Sequence, residues 1–389
     1  MNPDSIESEE ISLLDIVDFL QSTWKKLAIA AALGAAIGMA SWFAMGNYEA
    51  QYVLLNNTNN TNNTNTYALD IVSWKTLQKS LPNLAAQVLD DGKVPQGQEN
   101  LYRSLENDQW WQKNVIPSYA ISKADTKDLA GISKDLDAAS TTILNLTVSA
   151  QGKSKASAID NVRAASLFIR TGGAYLQLQN LLNGYEGETI STVADIQKKI
   201  TTTQIEMGYQ VERAKQLEEL HKRFPAGANV TGQVVDPKDS GAKYLPLQTQ
   251  IVAVNNDINA SKENLKRLSD RLKQLAIIKQ FVQAANPLLA KTPDGLALAN
   301  QLLDLEDQLR KGLSKDDANA QEILDNLHAQ LLQISTRFTK GLEANTAPVA
   351  KKQGLIKATA GGLFAAFFLM LLVLLGQRVW QTVKSGVAK

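Results

Sequence analysis

The side chains that could carry acid–base or metal chemistry in this chain are two histidines, His221 and His328, and scattered carboxylates. A metal site or a general base needs partner groups that converge at suitable spacing, and neither histidine has such partners nearby in the sequence. Each histidine lies in a helical pattern rich in Glu, Lys and Gln, which predicts a solvated position on a helix face. Cysteine is absent, which excludes a thiolate metal site and a cysteine nucleophile.

Nucleotide and sugar chemistry receive little more support from the residues. No G-x-x-x-x-G-K-[ST] phosphate loop occurs, so an ATPase is not indicated. The adjacent indoles of Trp110 and Trp111 could stack on a sugar ring, but burial in a folded base is the interpretation that we favour. We therefore predict no catalytic, cofactor-binding or metal-binding residues, and a protein that is not an enzyme.

The bulk composition narrows the class of protein further. The chain has 389 residues, of which 44% are hydrophobic and 20% charged, with a formal net charge of +1. A nucleic-acid-binding protein would show a basic face or a high pI, so we predict no nucleic-acid partner. The length is sufficient for a sizeable core or for two domains.

Two strongly apolar segments lie near the two ends of the chain, at Leu27–Met45 and Ala358–Val379. Each has the roughly 20 apolar residues that a helix needs to cross a bilayer. The first segment has no charged residue, and the second has only Arg378, next to its last residue. Trp24 and Trp42 bracket the first segment and Trp380 closes the second, as is typical of aromatic residues at a membrane interface. These features predict two transmembrane helices.

The first segment could instead be a signal peptide. It follows an acidic stretch rather than a basic one, and Gly46-Asn47-Tyr48 is a poor cleavage site, so we interpret it as a retained anchor. Two spans put both termini on one side of the membrane, and flanking cations favour the cytoplasm for that side. These cations are Lys25, Lys26, Arg378, Lys384 and Lys389, opposed by Lys351, Lys352 and Lys357 on the other side.

Small residues recur at helical spacing in both apolar segments. They are Ala30, Gly34 and Gly38 in the first segment, and Ala358, Gly362 and Ala366 in the second. Such stripes let two helix backbones approach closely in lipid, so we predict packing between the helices at these residues, Gly34, Gly38, Gly362 and Ala366 above all. The alternative is that Gly and Ala are simply common in membrane helices.

Between the apolar segments, the first part of the chain mixes strand and helix patterns. Asn47–Leu55 and Thr141–Gln151 are predicted strands, the latter alternating Ile143, Asn145 and Thr147 against Leu144, Leu146 and Val148. Residues 56–65 are entirely Asn and Thr, which predicts a flexible surface loop. Helical patterns cover 69–89, interrupted at Pro82, then 99–112, and 155–182.

The later part of the chain has the pattern of a long helical arm. Apolar residues advance by alternating steps of four and three for about four heptads, as in a coiled coil. The predicted seam consists of Leu247, Ile251, Val254, Ile258, Leu265, Leu268, Leu272 and Leu275. Residues 224–244, rich in Pro and Gly, predict the turn before it. A helix over 244–285 would be roughly 60 Å long, so we expect it to project and to pack against partner helices.

In combination these segments resemble one family, the Wzz-type polysaccharide chain-length determinants, which are polysaccharide co-polymerases of the bacterial inner membrane. "EEISLLDIVDFLQSTWKKL" at 9–27 is similar to the family's amphipathic lead-in to the first span. "YEAQYVLL" stands where the first periplasmic strand begins, and "ILNLTVSAQGKSKASAIDNV" at 143–162 resembles the strand and alanine-rich helix of the family. The long helix beginning "KYLPLQTQIVAVNNDINASKENLKRL" also matches in position.

The resemblance implies a ring-shaped homo-oligomer in the inner membrane that sets glycan length beside the repeat-unit polymerase, with a lipid-linked glycan as a further partner. It departs from the family at the second span, which has no Pro of its own and only Pro348 before it. The residues after that span are too few for the tyrosine autokinase domain of some relatives, which predicts the kinase-free type. A co-polymerase of capsule or exopolysaccharide export, a periplasmic sensor and a membrane-bound glycan enzyme are the alternatives.

The predicted fold is therefore an α+β membrane protein with two transmembrane helices, a periplasmic mixed α/β base and a projecting coiled-coil-like arm. Its predicted parts, by residue number, are a cytoplasmic segment 1–26, a first span 27–46, the base 47–186 with part of 340–354, the arm 187–345, a second span 358–379 and a cytoplasmic tail 380–389.

Overall fold

The protein is described from a computed structural model. The structure describes residues 13–61, 64–67, 69–120, 142–224, 246–314, 317–344 and 346–386. Most of these residues are helical. The helices are α1 (Leu13–Met45), α2 (Ile71–Asp90), α3 (Glu99–Leu105), α4 (Asp108–Asn114), α5 (Lys155–Arg223), α6 (Leu247–Lys291), α7 (Gly295–Gly312), α8 (Ala318–Thr336) and α9 (Leu355–Gly386). A π-helical turn, Arg337–Gly341, follows α8.

Seven short strands accompany the helices in the described residues. They are β1 (Tyr48–Asn56), β2 (Thr58–Thr61), β3 (Thr64–Tyr67), β4 (Val115–Tyr119), β5 (Ile143–Gly152), β6 (Leu342–Ala344) and β7 (Val349–Lys352). The larger sheet has the order β4-β5-β1-β6, and β7 also pairs with β1. Strands β2 and β3 form a separate antiparallel pair.

The chain separates into two compact units, each assembled from distant segments. The first unit takes the described residues of Met1–Leu55, Val94–Leu167 and Ala344–Lys389, and the second takes those of Asn56–Lys93 and Phe168–Glu343. Two helices of the first unit, Gln21–Met45 and Leu355–Gln381, are long and apolar enough to cross a membrane.

Register gives the sheet of the first unit one apolar face. In the antiparallel pair of β1 and β5, Ala50 lies opposite Ala150 and Leu54 opposite Leu146, and all four side chains are buried. Residues directly opposite one another point to the same face, so the alternation of the two strands buries them together. The strand predicted over Asn47–Leu55 is thereby confirmed.

The strand predicted over 141–151 is confirmed as β5, but its simple alternation is wrong. Ser118 pairs with Asn145 while Tyr119 pairs with Ile143, so Leu144 is an extra residue without a partner on β4. A bulge of this kind shifts the phase of the strand by one residue. Ile143 is consequently buried on the same side as Leu146, while Leu144 is exposed.

Three other local predictions are wrong. Within the segment predicted as a loop, Thr58–Thr61 and Thr64–Tyr67 pair as the antiparallel strands β2 and β3, since their β-branched threonines suit extended backbone. Helix α2 continues through Pro82, because Leu81, Leu84 and Ala85 around it are buried and their packing outweighs the lost hydrogen bond.

The single helix predicted over 99–112 is divided into α3 and α4. Asn107 caps α4 by accepting a hydrogen bond from the N–H of Gln109 at 2.9 Å.

The separate helical patterns predicted for 155–182 and for the residues after 187 form one continuous helix. Helix α5 has 69 residues, which corresponds to a length of about 104 Å. Gly184 and Gly187 interrupt the apolar spacing in this region, and glycine weakens a helix by only about 1 kcal/mol. Buried Leu182 and Ile196 on either side of these glycines supply packing that maintains the helix.

Helices α7 and α8 of the second unit begin at clear capping residues. Asp294 accepts hydrogen bonds from the N–H groups of Leu296 and Ala297 at 2.9 and 3.1 Å, and Asp317 accepts one from Ala320 at 3.1 Å. Gly295, in the first turn of α7, lies so close to the backbone of α5 that a Cβ atom there would collide with it. The sequence Asp294-Gly295 therefore both starts α7 and allows its close contact with α5.

The turn after α8 is also tied to α5 within the second unit. Arg170 donates from Nε to the carbonyl oxygen of Phe338 at 2.7 Å and from Nη2 to that of Thr339 at 3.2 Å. These carbonyls belong to the π-helical turn, where regular helical hydrogen bonding ends. The guanidinium therefore satisfies backbone groups that the end of a helix leaves without partners.

Candidate functional site

The two apolar terminal helices, α1 and α9, pack against each other in the first unit. Gly34 faces Gly362 and Ala366, and a Cβ atom added to Gly34 would collide with the Gly362 carbonyl oxygen and the Ala366 side chain. Gly38 lies equally close to the backbone of Ala358. The structure therefore brings together the four small residues singled out in the sequence, at a crossing where the two backbones touch.

Larger residues fill the other end of this helix pair. Phe19 and Leu27 of α1 and Leu374 of α9 form a buried cluster, against which Phe367 and Leu371 pack. The glycine crossing and this cluster together extend the contact of α1 and α9 over several helical turns.

The three tryptophans predicted to mark a membrane interface lie in different surroundings. Trp24 and Trp380 are largely exposed, at 57% and 71% of their surface. Trp42 is half-buried and donates from its indole nitrogen to the carbonyl oxygen of Gln353 at 2.9 Å. Only Trp42 among the three therefore joins the first apolar helix to the residues that precede the second.

Lys352 is at the centre of a contact that we call the lysine clasp, formed by Lys352 with Trp42, Phe43 and Tyr48. Its ammonium group donates to the carbonyl oxygen of Phe43 at 2.7 Å. The same nitrogen lies 5.1 Å from the ring centroid of Trp42, 5.3 Å from that of Phe43 and 5.3 Å from that of Tyr48. Three rings around one ammonium form a favourable cation–π environment. Sequence reasoning missed this site, because its members are separated by about 300 residues.

The first half of the predicted seam of the helical arm packs against α5. Val254 and Ile258 of α6 form a buried cluster with Ala214 and Leu217 of α5. Leu247 and Ile251 pack against that cluster. Further along α6, Leu275 is buried, whereas Leu265, Leu268 and Leu272 are half-buried.

Two polar contacts also connect α5 and α6. The hydroxyl of Ser261 donates to Oε1 of Gln210 at 3.3 Å, and Arg271 forms a 2.7 Å ion pair with Glu188. Both contacts are partly exposed, so each adds little stability. The turn predicted at 224–244 lies outside the described residues apart from Phe224.

A buried carboxylate lies between α7 and α8 in the second unit. Glu306 has 0% of its surface exposed, and its two oxygens are occupied by different partners. Oε1 accepts from Nε of Arg310 at 2.8 Å, and Oε2 lies 2.7 Å from Nδ1 of His328. Arg310 also donates to Asp325 at 2.8 Å and to Gln321 at 3.0 Å. We call this set the Glu306 network.

The solvated positions predicted for the two histidines are wrong in both cases. His328 is paired with the Glu306 carboxylate. Nδ1 of His221 is buried without a hydrogen-bond partner in the described residues. Burial lowers the pKa of Arg310, but its hydrogen bonds to Asp325 and Glu306 outweigh that effect and leave the pKa raised. The Glu306–Arg310 spacing of four residues was visible in the sequence, whereas His328 follows 22 residues after Glu306.

Two tyrosines on α5 also have altered acidities. Burial, and secondarily the charge of Glu188, raises the pKa of Tyr185, while its hydrogen bond to Gln330 acts in the opposite direction. Burial likewise raises the pKa of Tyr175. Both phenols are therefore uncharged at neutral pH and serve as hydrogen-bonding groups in the second unit.

The adjacent indoles of Trp110 and Trp111 differ in burial. Trp111 is fully buried and donates from its indole nitrogen to the carbonyl oxygen of Leu105 at 2.7 Å. Trp110 is half-buried and meets the Trp111 ring edge to face, with centroids 5.2 Å apart. The predicted burial therefore holds for Trp111, and only in part for Trp110.

The chemistry of these sites is that of close packing, ion pairing and hydrogen bonding. Within the described residues, no group of three or more His, Cys, Asp or Glu side chains could hold a metal ion. The arrangement joins helices at the glycine crossing and at the seam between α5 and α6, and it joins α1 to strand β7 at the lysine clasp.

Comparisons with known proteins give a partial likeness among solved structures. No protein-family model and no curated protein matches the sequence. Among solved structures, a full-length bacterial polysaccharide co-polymerase is similar over 95% of this chain and 99% of its own, with 10% identity and a TM-score of 0.34. At that identity and TM-score the likeness does not assign the chain to a family.

Proposed function

We propose that this protein is a membrane-anchored, non-enzymatic scaffold that regulates the chain length of a bacterial surface polysaccharide. Copies of the chain assemble with one another beside the polymerase that joins lipid-linked repeat units, and a glycan of the O-antigen type is the product whose length they set. The proposal begins from the resemblance of the sequence to the Wzz-type chain-length determinants.

The observation that carries the proposal is that the residues at the end of α1 contact the residues just before α9. The intervening chain therefore begins and ends at the same end of the α1–α9 pair. Lys352 contacts Phe43 across a sequence separation of 309 residues, and Trp42 contacts Gln353 across 311. A chain held in this way has two neighbouring anchors and one large intervening part. This is the organisation that a scaffold anchored in a membrane requires.

In the proposed topology both termini lie in the cytoplasm and residues 47–353 lie in the periplasm. Within the latter, the residues up to 186 and part of 340–354 form a base near the membrane, and residues 187–345 form the arm. The cations at the outer ends of the two apolar segments, such as Lys25, Lys26 and Lys384, favour this orientation. Lys352, on the periplasmic side of the second span, is a cation that counts against this orientation. Its ammonium group, however, is engaged by three aromatic rings.

Homo-oligomerisation through the helices is supported by exposed apolar side chains in the second unit. Ile190 and Tyr209 of α5 are exposed at 70% and 73%, and Val252 of α6 at 52%. Large apolar side chains at this exposure gain free energy when a second protein surface covers them. A second copy of the chain is the occupant that the proposal assigns to them.

Deletion of the gene tests the proposal. We expect the lipopolysaccharide of the deletion strain to change, on a gel, from a clustered to a broad distribution of lengths, and a plasmid copy to restore the cluster. If the lipopolysaccharide is unchanged while a capsule or exported polysaccharide is altered, the export co-polymerase is the correct alternative. If no polysaccharide changes in length, the proposed function is wrong.

Native mass spectrometry of the detergent-solubilised protein tests the assembly separately. We expect a discrete oligomer, and charge substitutions at Ile190 and Tyr209 should shift it towards smaller species. A protein that remains strictly monomeric across detergents would contradict the proposed scaffold.

A further inference from the structure

We propose that a groove in the first unit, beside Trp110, binds a segment of an acidic oligosaccharide. The groove has a volume of about 560 Å³ and lies between the α3–α4 region, the end of β5 and the start of α5. Pockets for small ligands commonly fall between about 300 and 1,000 Å³, so there is room for a short saccharide. The lining residues that could bind a saccharide are one aromatic, two cationic and three amide side chains: Trp110, Arg103, Lys113, Asn100, Gln151 and Asn161.

Trp110 is the aromatic side chain of this groove. Its ring forms a T-shaped pair with the ring of Trp111, which is itself fixed by burial and by a hydrogen bond to Leu105. The backbone of Trp110 is held as well, since its carbonyl accepts from Nδ2 of Asn114 at 3.0 Å. A half-exposed indole packed against a buried ring offers a flat apolar face for the C–H surface of a sugar ring.

The polar lining fits the hydroxyl groups of a saccharide. The amides of Asn100, Gln151 and Asn161 each supply a donor and an acceptor on one planar group, which suits vicinal hydroxyls. Asn161 is held in place because its Nδ2 donates to the carbonyl oxygen of Gln151 at 2.8 Å. Its side-chain oxygen has no partner among the described residues and can accept a hydrogen bond from a ligand.

The charges of the groove indicate an acidic rather than a neutral ligand. Arg103 and Lys113 line it, and no carboxylate is among the described lining residues. Both side chains are exposed, and no ion pair of either occurs within the described part of the chain. Two cations without internal partners favour sugar carboxylates or phosphates, which charge-assisted hydrogen bonds would hold. This assignment of ligand class rests on the proposed function, which supplies a glycan as the partner.

Isothermal titration calorimetry on the full-length protein in detergent tests the groove directly. The probes are oligogalacturonate, acidic polysaccharide released from the cells that make the protein, neutral maltoheptaose, and poly-glutamate as a polyanion that is not a sugar. We expect an acidic saccharide to bind more tightly than maltoheptaose. Trp110→Ala should weaken that binding at least about tenfold, as expected of a central aromatic contact.

Charge reversal provides variants that leave the core intact, because both cations are exposed. Arg103→Glu and Lys113→Glu should each weaken binding of the acidic saccharide by about tenfold or more, and should change maltoheptaose binding little. Trp380→Ala, which alters an exposed indole far along the sequence, is the control and should leave the affinity unchanged. The groove is refuted if neither acidic saccharide binds, or if Trp110→Ala and Arg103→Glu leave the affinity unaltered.

Cellular complementation separates the failure of this proposal from failure of the proposed function. If gene deletion alters glycan length and the Trp110→Ala and Arg103→Glu variants restore it fully, the groove has no role and the scaffold stands. If deletion leaves every glycan unchanged but saccharide binding depends on Trp110, the chain-length function is wrong and the binding site stands. Equal effects of Trp110→Ala on poly-glutamate and on oligogalacturonate would show only a cationic patch and would overturn the saccharide assignment.

Discussion

Two adjacent glycines in α9 provide a matched test of the crossing between α1 and α9. A Cβ atom added at Gly362 would collide with the backbone carbonyl oxygen of Gly34, whereas one added at Gly361 would meet no atom within 4 Å. The same substitution, Gly→Ala, is therefore expected to have opposite effects at neighbouring positions of one helix. Because both positions are helical, the change in helix propensity is the same and cancels in the comparison.

The magnitudes follow from known costs. In an open helical position, Gly→Ala stabilises by roughly 0.5–1 kcal/mol. At Gly362 that gain is opposed by a collision with backbone, which cannot rotate away, and such overpacking costs about 1–3 kcal/mol. We therefore expect Gly361→Ala to leave the free energy of unfolding unchanged or slightly increased. Gly362→Ala should lower it by up to about 2 kcal/mol, and Gly362→Leu should lower it further.

Unfolding by SDS in mixed micelles, followed by tryptophan fluorescence, measures these differences in the intact protein. A second assay isolates the helix pair, since the chain contains no cysteine. Cysteines introduced at Leu27 and Leu374, which belong to one buried cluster, should form a disulfide more slowly in the Gly362→Ala background than in the Gly361→Ala background. Equal stabilities and equal crosslinking rates for the two alanine variants would refute the glycine crossing.

Three further outcomes test other contacts. Glu306→Gln removes the charge of a buried carboxylate bonded to two groups and should destabilise the protein by about 1.5–3 kcal/mol in thermal unfolding, while exposed Asp307→Asn should have little effect. Lys352→Met removes the centre of the lysine clasp and should lower the free energy of unfolding by about 1–2 kcal/mol. Lys351→Met changes the exposed neighbour and should have little effect, so equal effects of the two substitutions would contradict the clasp. Because the pKa of Tyr185 is raised, the folded state keeps a proton that the unfolded chain loses near pH 10, so the free energy of unfolding falls as the pH rises above 10. Tyr185→Phe should make that fall shallower in alkaline denaturation curves.

Periodic patterns in the sequence predicted which residues are buried. They did not predict which residues of other helices pack against them. The seam positions Val254 and Ile258 followed from their spacing, because a helix presents every third or fourth residue to one side. Their partners Ala214 and Leu217 lie on a different helix, and spacing within one helix contains no information about the register of another. The small residues of the two apolar segments were likewise identified one helix at a time.

Contacts between distant residues were out of reach for the same reason. Lys352 appeared only as a charge that complicated the topology, since nothing local indicates that three aromatic rings surround it. Glu306 appeared as one of many helix-face carboxylates, although its complete burial makes it one of the more constrained residues of the second unit. Local rules also failed at Pro82, where the packing of neighbouring leucines outweighs the usual effect of proline.

The two long helix pairs use opposite residue types, and this difference bears on the solvent that each one meets. The α1–α9 crossing is made of glycine and alanine, and the outward residues Phe364, Phe368 and Leu372 are 58–64% exposed and apolar. The α5–α6 seam buries Val254 and Ile258, while the rest of its surface is rich in charge, with scattered apolar side chains such as Ile190 and Tyr209. In water, buried aliphatic groups supply the association energy, whereas in lipid they add little, and close backbone contact must supply it instead. A soluble pair would not be expected to bury its smallest residues and expose its largest apolar ones, so this contrast supports lipid around α1 and α9 and water around α5 and α6.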